Sequence, residues 1–163
     1  MLTRMALPAE LPVEGGAVIL RRATEADVPA IVGLLAADQL GATREGGDLA
    51  PYLDAFAAVD ADPAQLLVVA TARGEVAGTL QLTFIPGLAR RGAVRAQIEA
   101  VRVGAAHRAA GLGTAMVGWA VAEARRRGCA LVQLTTDKRR TRARRFYERL
   151  GFTASYEGMK LFL

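Results

Sequence analysis

The stretch Val103-Gly104-Ala105-Ala106-His107-Arg108-Ala109-Ala110-Gly111-Leu112-Gly113-Thr114 decides how this chain is read. On its N-terminal side, Ala96 to Val103 is rich in β-branched residues and predicts a strand. On its C-terminal side, Leu112 to Arg127 predicts a helix that is apolar nearly all round and therefore deeply packed, with Gly128 placed to end it. A helix start leaves backbone N–H groups unpaired and carries about half a positive charge, so it suits a phosphate. Gly111 and Gly113 lack Cβ atoms and let an anion approach those N–H groups; the plain alternative is a glycine-softened connection from strand to helix. A dinucleotide fingerprint would need glycine where Met116 stands, and no Gly-Lys-Ser/Thr of a Walker loop occurs.

Outward from that loop, Ala17 to Arg22 predicts a strand leading into a helix capped by Thr24, and a second helix covers Leu49 to Val59. Leu66 to Thr71 and Val76 to Phe84 flank Ala72-Arg73-Gly74-Glu75 as a hairpin. Downstream come a buried strand at Ala130 to Thr135, a basic helix at Thr141 to Leu150 stopped by Gly151, and a last strand pair, Phe152 to Tyr156 and Met159 to Leu163. The order predicts an α+β fold with a sheet of about seven strands and helices on both faces.

At 163 residues the chain is sized for one domain over 1–163, and 52% hydrophobic with 23% charged residues excludes disorder. The longest nearly apolar stretch, Leu112 to Ala122, falls short of the roughly 20 residues of a membrane span. Arg4, Pro8, Glu10 and Pro12 interrupt any secretory leader, which predicts a cytoplasmic protein. One cysteine, Cys129, and one histidine, His107, give no disulfide and no thiolate or imidazole zinc cluster. Charge is split: residues 1–89 carry five arginines against eleven carboxylates, a net −6, and residues 90–163 carry a net +11. The basic part expects an anion, which composition alone leaves as nucleic acid, membrane surface or a small polyphosphate.

Arg108-x-x-Gly111-x-Gly113 after a strand, together with Phe146-Tyr147-Glu148-Arg149-Leu150-Gly151-Phe152, resembles the GCN5-related N-acetyltransferases. The resemblance spans the chain in element order and is most specific from about Ile98 to Phe152. It implies a mixed, mostly antiparallel sheet whose strands splay at the acetyl-CoA site, with Gln97 to Val103 as the strand that receives pantetheine and thioester. It implies cofactor contacts from Val101, Arg102, Val103, Arg108, Ala109, Ala110, Gly111, Leu112, Gly113 and Thr114. Arg140 stands where many members carry an asparagine, so a phosphate contact is the role left to it.

The same resemblance makes Tyr147 the acid that protonates the departing thiolate, the alternative being a core tyrosine. Glu99 stands where several members place the base that deprotonates the amine, the alternative being a solvated or ion-paired strand acid. By period 2, Gln97, Glu99 and Val101 share one face while Ile98, Ala100 and Arg102 share the other. His107 reads as a surface histidine and Cys129 as a small core residue. The arginine run from Lys138 to Arg149 lacks interleaved aromatic residues before Phe146, which argues against a nucleic-acid face.

The implied activity is transfer of the acetyl group of acetyl-CoA to a small-molecule amine without metal, with the family's frequent homodimer. A protein or peptide N-acetyltransferase and a non-catalytic acyl-CoA- or nucleic-acid-binding module are the alternatives. Asp38, Glu45, Asp48, Asp54, Asp60 and Asp62 cluster on and around the first two helices, which favours a cationic or neutral acceptor over a polyanion.

Overall fold

A computed structural model describes residues 6–38 and 40–163, which form two compact units, one through Gln133 and one from Leu134 to Leu163. The first unit holds a six-stranded sheet in the order β1-β2-β3-β4-β5-β6: β1 Ala9–Leu11, β2 Val18–Arg22, β3 Gln65–Ala72, β4 Glu75–Ile85, β5 Arg95–Val103 and β6 Leu131–Gln133. Neighbours run antiparallel from β1 to β5, and β6 joins β5 in parallel. The fold is thus the α+β, mixed and mostly antiparallel one expected, with six strands in place of seven.

Alternation along the strands sorts the sheet into two covered faces. Leu66 opposite Leu82, and Val68 opposite Leu80, are fully buried on the face taken by α3, Leu112–Arg126. Gly78 permits the close approach: a Cβ there would stand 2.8 Å from the Met116 sulfur and 3.1 Å from the Arg102 carbonyl oxygen. On the other face, Val69 packs with Val28, Ile31 and Val32 of α1 (Val28–Ala36) and Phe56 of α2 (Ala50–Ala61). The α3 helix is not buried all round, because Thr114, Gly118 and Arg125 are exposed.

Local chemistry fixes the ends. The Asp27 carboxylate accepts from the Thr24 backbone N–H at 2.7 Å and from both Arg21 guanidinium nitrogens at 2.7 and 2.9 Å, which anchors the entry to α1. Gly128, at φ 74°, ends α3 with its N–H on the Arg125 carbonyl and the Cys129 N–H on that of Ala124. At this end Arg126 and Arg127 both bind Glu123 at 2.7 Å. Burial pushes the Glu123 carboxyl up, and the two guanidinium hydrogen bonds outweigh it and hold the group below its ordinary range. No helix among the described residues is long and apolar enough to cross a membrane.

The second unit contains α4, Thr141–Arg149, whose Arg142, Arg144, Arg145 and Arg149 are exposed while Phe146, Tyr147 and Leu150 are half-buried. The predicted strand pair at 152–156 and 159–163 does not form. The Ser155 N–H turns back to the Thr153 carbonyl at 3.0 Å, and neither segment has a ladder partner among the described residues. The buried strand predicted at 130–135 is likewise shorter, three half-buried residues.

Candidate active site

The β5 strand breaks its own register. Glu99 pairs with Gln81 and Arg102 with Thr79, so three steps on β5 match two on β4. The extra residue is a β-bulge at Ala100 and Val101, and Ala100 takes a left-handed φ of 51°. Thr79 and Gln81 lie two apart and share a face of β4, so Glu99 and Arg102 share a face as well. The period-2 expectation, which set Arg102 beside Ile98 and Val101 beside Glu99, is overturned by this one inserted residue.

Each side of the bulge is then held differently. The Arg102 guanidinium reaches Asp38 at 3.0 Å, both side chains being mostly buried, and donates to the Val101 carbonyl at 2.9 Å. Asp38 also accepts the N–H groups of Leu40 and Gly41, so the pair ties β5 to the end of α1. On the other side, the Gln133 amide of β6 donates to Gln97 at 2.8 Å, and the Gln97 amide donates to the Glu99 carboxylate in a short hydrogen bond. Gln81 and Thr83 both donate to Gln65. Glu99 is thus exposed, ionisable and steered by an amide chain across β5 and β6.

From Val103 the chain runs through a 3-10 turn, Ala105–His107, to α3. The Gly104 N–H bonds the Ala77 carbonyl at 2.8 Å, and the Arg108 Nε donates to the Val103 carbonyl at 3.3 Å, which folds the loop back on the strand end. Gly111 caps α3 at φ 78°, with open space where a Cβ would stand. No side chain caps the helix and its first turn holds no acid, so the N–H groups of Leu112, Gly113 and Thr114 have no partner from a capping side chain.

Two cavities border these elements. The larger, about 1030 Å³, lies between the β1 segment and α3, and its lining includes Glu10 and Glu14 together with Ala109, Ala110, Gly111 and Thr114 of the glycine loop and the helix start. The smaller, about 120 Å³, lies between α1, α2 and the sheet and includes the bulge residue Ala100 in its lining. None of the six clustered acids lines it. Asp38 is paired with Arg102, Asp48 and Asp62 accept the Ala50 and Ala64 N–H groups, and Glu45 accepts the Tyr52 hydroxyl.

In the second unit, Tyr147 lies edge-on to Phe146 and Phe152, with ring centroids 5.0 and 5.8 Å away. The Phe152 N–H bonds the Tyr147 carbonyl at 3.1 Å, the helix-end pattern that Gly151 makes accessible at φ 94°. Arg140 stands at the N-terminal boundary of α4, where its N–H meets the Asp137 carbonyl at 2.9 Å.

The sequence profile of the acetyltransferase (GNAT) family matches residues 34–152. The chain belongs to the GNAT family. This GNAT acetyltransferase is 30% identical to an aminoalkylphosphonate N-acetyltransferase of Salmonella typhimurium over 84% of this chain and 86% of that one. Its fold matches a protein from Bacillus halodurans described as a transcriptional regulator, with TM-score 0.86, 46% identity, and 90% and 99% of the two chains covered. It also matches an acetyltransferase of Trypanosoma brucei, with TM-score 0.75, 28% identity, and 90% and 99% covered.

Of the site residues read from this GNAT sequence, Glu99, Val101 to Val103 and Arg108 to Thr114 are brought together by β5, the loop and the start of α3. His107 is half-buried in the turn, and burial pushes the half-buried Cys129 thiol up, away from the thiolate. Sequence reading missed Gln97 as the partner of Glu99 and Gln133 as the partner of Gln97, although the two glutamines stand directly opposite each other on adjacent strands. It also missed the Asp38–Arg102 pair, which only the bulge makes possible.

Proposed function

We propose that this acetyl-CoA-dependent N-acetyltransferase moves the acetyl group to a primary amine of a small molecule by direct attack. The observation that carries the reading is the bulged β5 running into a glycine loop at an uncapped helix start, in a chain of the GNAT family. The N–H groups from Ala109 to Thr114 receive the pyrophosphate, and Val101, Arg102 and Val103 border the pantetheine and thioester. Arg108 and Arg140 supply positive charge to the phosphates.

Glu99 takes a proton from the acceptor ammonium, directly or through water. The amine nitrogen then forms a bond to the thioester carbon, and a backbone N–H near Val103 stabilises the oxyanion. The C–S bond breaks as the oxyanion collapses, Tyr147 delivers its proton to the leaving sulfur, and the second proton of the former amine passes from the amide nitrogen back to the phenolate. A thiol near 8.5 and a phenol near 10 differ by about two pKa units, so that transfer is only slightly uphill. Holding both reactants in line supplies the effective concentration, and the reaction passes through no covalent enzyme intermediate.

The whole chain, 1–163, acts in this reading as one cytoplasmic domain that pairs as a homodimer, which light scattering at micromolar concentration tests. For the reaction, calorimetry with acetyl-CoA and thiol release with a panel of amines form the test. Binding with amine-dependent thiol release supports it, and binding without release for any amine contradicts it.

A second reading is favoured by the Bacillus halodurans relative described as a transcriptional regulator and by the exposed arginines of α4. A chain of that kind would bind duplex DNA with a steep salt dependence and release no thiol.

A further inference from the structure

The small cavity lined by the bulge residue Ala100 has a chemical character that names its occupant. Its walls are Val28, Ile31 and Leu35 of α1, Phe56 of α2 and Leu67 of β3, all of them apolar. Its polar side chains are Tyr52, Thr79 and Gln81, each of them engaged; the Tyr52 hydroxyl donates to Glu45 at 2.8 Å. The Thr79 hydroxyl donates to the Val68 carbonyl at 2.9 Å, and the Gln81 amide donates to Gln65 at 2.9 Å. No lysine, arginine, aspartate or glutamate belongs to the lining, so an anionic group placed there would lose its hydration without gaining a counterion. Ala100 of the bulge lines the cavity and is exposed, and the neighbouring Glu99 stands opposite Gln81, another lining residue.

An apolar lining with one carboxylate beside it is complementary to a molecule with an ammonium at one end and a hydrocarbon group at the other. Resting on the acetyltransferase reading above, we propose that the acceptor is a primary amine with an uncharged apolar tail. The tail fills the cavity between α1, α2 and the sheet, and the nitrogen stays at Glu99. A phosphonate, phosphate or carboxylate tail finds no cation in the lining, and the second ammonium of a polyamine finds no carboxylate in it, Glu45 lying outside the lining and bound to the Tyr52 hydroxyl. This chain therefore departs in specificity from the Salmonella relative, whose description specifies an aminoalkylphosphonate acceptor.

Thiol release from acetyl-CoA is measured for straight-chain primary amines of increasing length, for phenethylamine, for aminoalkylphosphonates of matching length, and for spermidine. Each methylene that enters the cavity raises kcat/KM about fourfold. Phenethylamine then exceeds the phosphonates and spermidine by tenfold or more. Ala55 is an exposed position of α2 that lines the cavity, so Ala55→Phe narrows it without touching the core. That variant loses tenfold or more on the long amines, little on methylamine, and nothing in acetyl-CoA affinity by calorimetry. Aminoalkylphosphonates or spermidine turned over better than the apolar amines would overturn the tail assignment and leave the acetyltransferase reading standing. Equal loss on short and long amines in Ala55→Phe, with unchanged acetyl-CoA affinity, would do the same. Acetyl-CoA binding with no turnover of any amine would overturn both.

Discussion

Glu99 and Arg102 lie three residues apart on one strand and face the same side of the sheet, because the bulge at Ala100 and Val101 adds one residue to β5 between them while their partners Gln81 and Thr79 stay two apart on β4. The consequence is a division of labour along β5. Arg102 is committed to Asp38 and the end of α1, while Glu99 is left exposed beside Ala100, which lines the apolar cavity.

The Asp38–Arg102 pair is mostly buried, so removing one partner strands the other charge. Arg102→Met is expected to lower unfolding stability by about 2 kcal/mol. The Arg102→Met, Asp38→Asn double variant should lose less than the sum of the single losses. Denaturant titration of the four proteins checks this, and strictly additive losses would mean that the two residues act separately.

Glu99 is held by an amide chain from Gln133 through Gln97. Glu99→Gln is expected to slow turnover most at low pH, where more of the amine is protonated and deprotonation is most needed. Gln97→Leu removes the steering and keeps the carboxylate, so it should cost kcat several-fold with acetyl-CoA affinity unchanged. Initial rates between pH 6 and 9 check both, and a Glu99→Gln profile superimposable on the parent's would remove the base role.

Gly111 begins α3 at a φ of 78°, a conformation that side chains disfavour, although space is open around it. Gly111→Val is expected to cost about 1–2 kcal/mol of stability and to displace the N–H groups that meet the pyrophosphate. Acetyl-CoA affinity by calorimetry should fall at least tenfold, and an unaltered affinity would place the phosphates elsewhere.

The Arg21 hydrogen bonds, together with those from Thr24, hold the Asp27 carboxyl below its ordinary range against the opposing effect of burial. A carboxylate depressed in the folded state stabilises the protein above the unfolded value near 4 and loses that contribution as pH falls through the depressed one. With Arg21 about one-third exposed, Asp27→Asn is expected to cost only about 1 kcal/mol at pH 7 and to reduce the drop in stability below pH 4. Thermal unfolding at pH 7 and pH 3 checks the sign.

Most of the sheet was legible because each strand from Val18 to Val103 carries its own turn signals and β-branched runs. The loop and the start of α3 were legible for a local reason too, the spacing of Arg108, Gly111 and Gly113. The faces of β5 were not, since alternation counts residues and cannot see that Ala100 takes a left-handed turn inside the strand. The three residues of β1 were too short to show a period, and the segment after Phe152 shows strand-like composition with no ladder partner among the described residues. The acids around α1 and α2 suggested a field for cations, whereas several of them serve local caps and pairs that composition does not reveal.

The central claim is amine-dependent acetyl transfer with Tyr147 as the acid that releases CoA, and comparing Tyr147→Phe with the parent in a thiol-release assay tests it most directly. The phenylalanine keeps the ring that packs beside Phe146 and Phe152 and removes only the hydroxyl. The account predicts that the parent releases thiol only when a primary amine is present. It predicts that Tyr147→Phe lowers kcat about a hundredfold or more, with acetyl-CoA affinity nearly unaltered. A Tyr147→Phe protein as active as the parent would contradict the assignment of the acid, and a parent that binds acetyl-CoA and releases no thiol with any amine would contradict the enzyme itself.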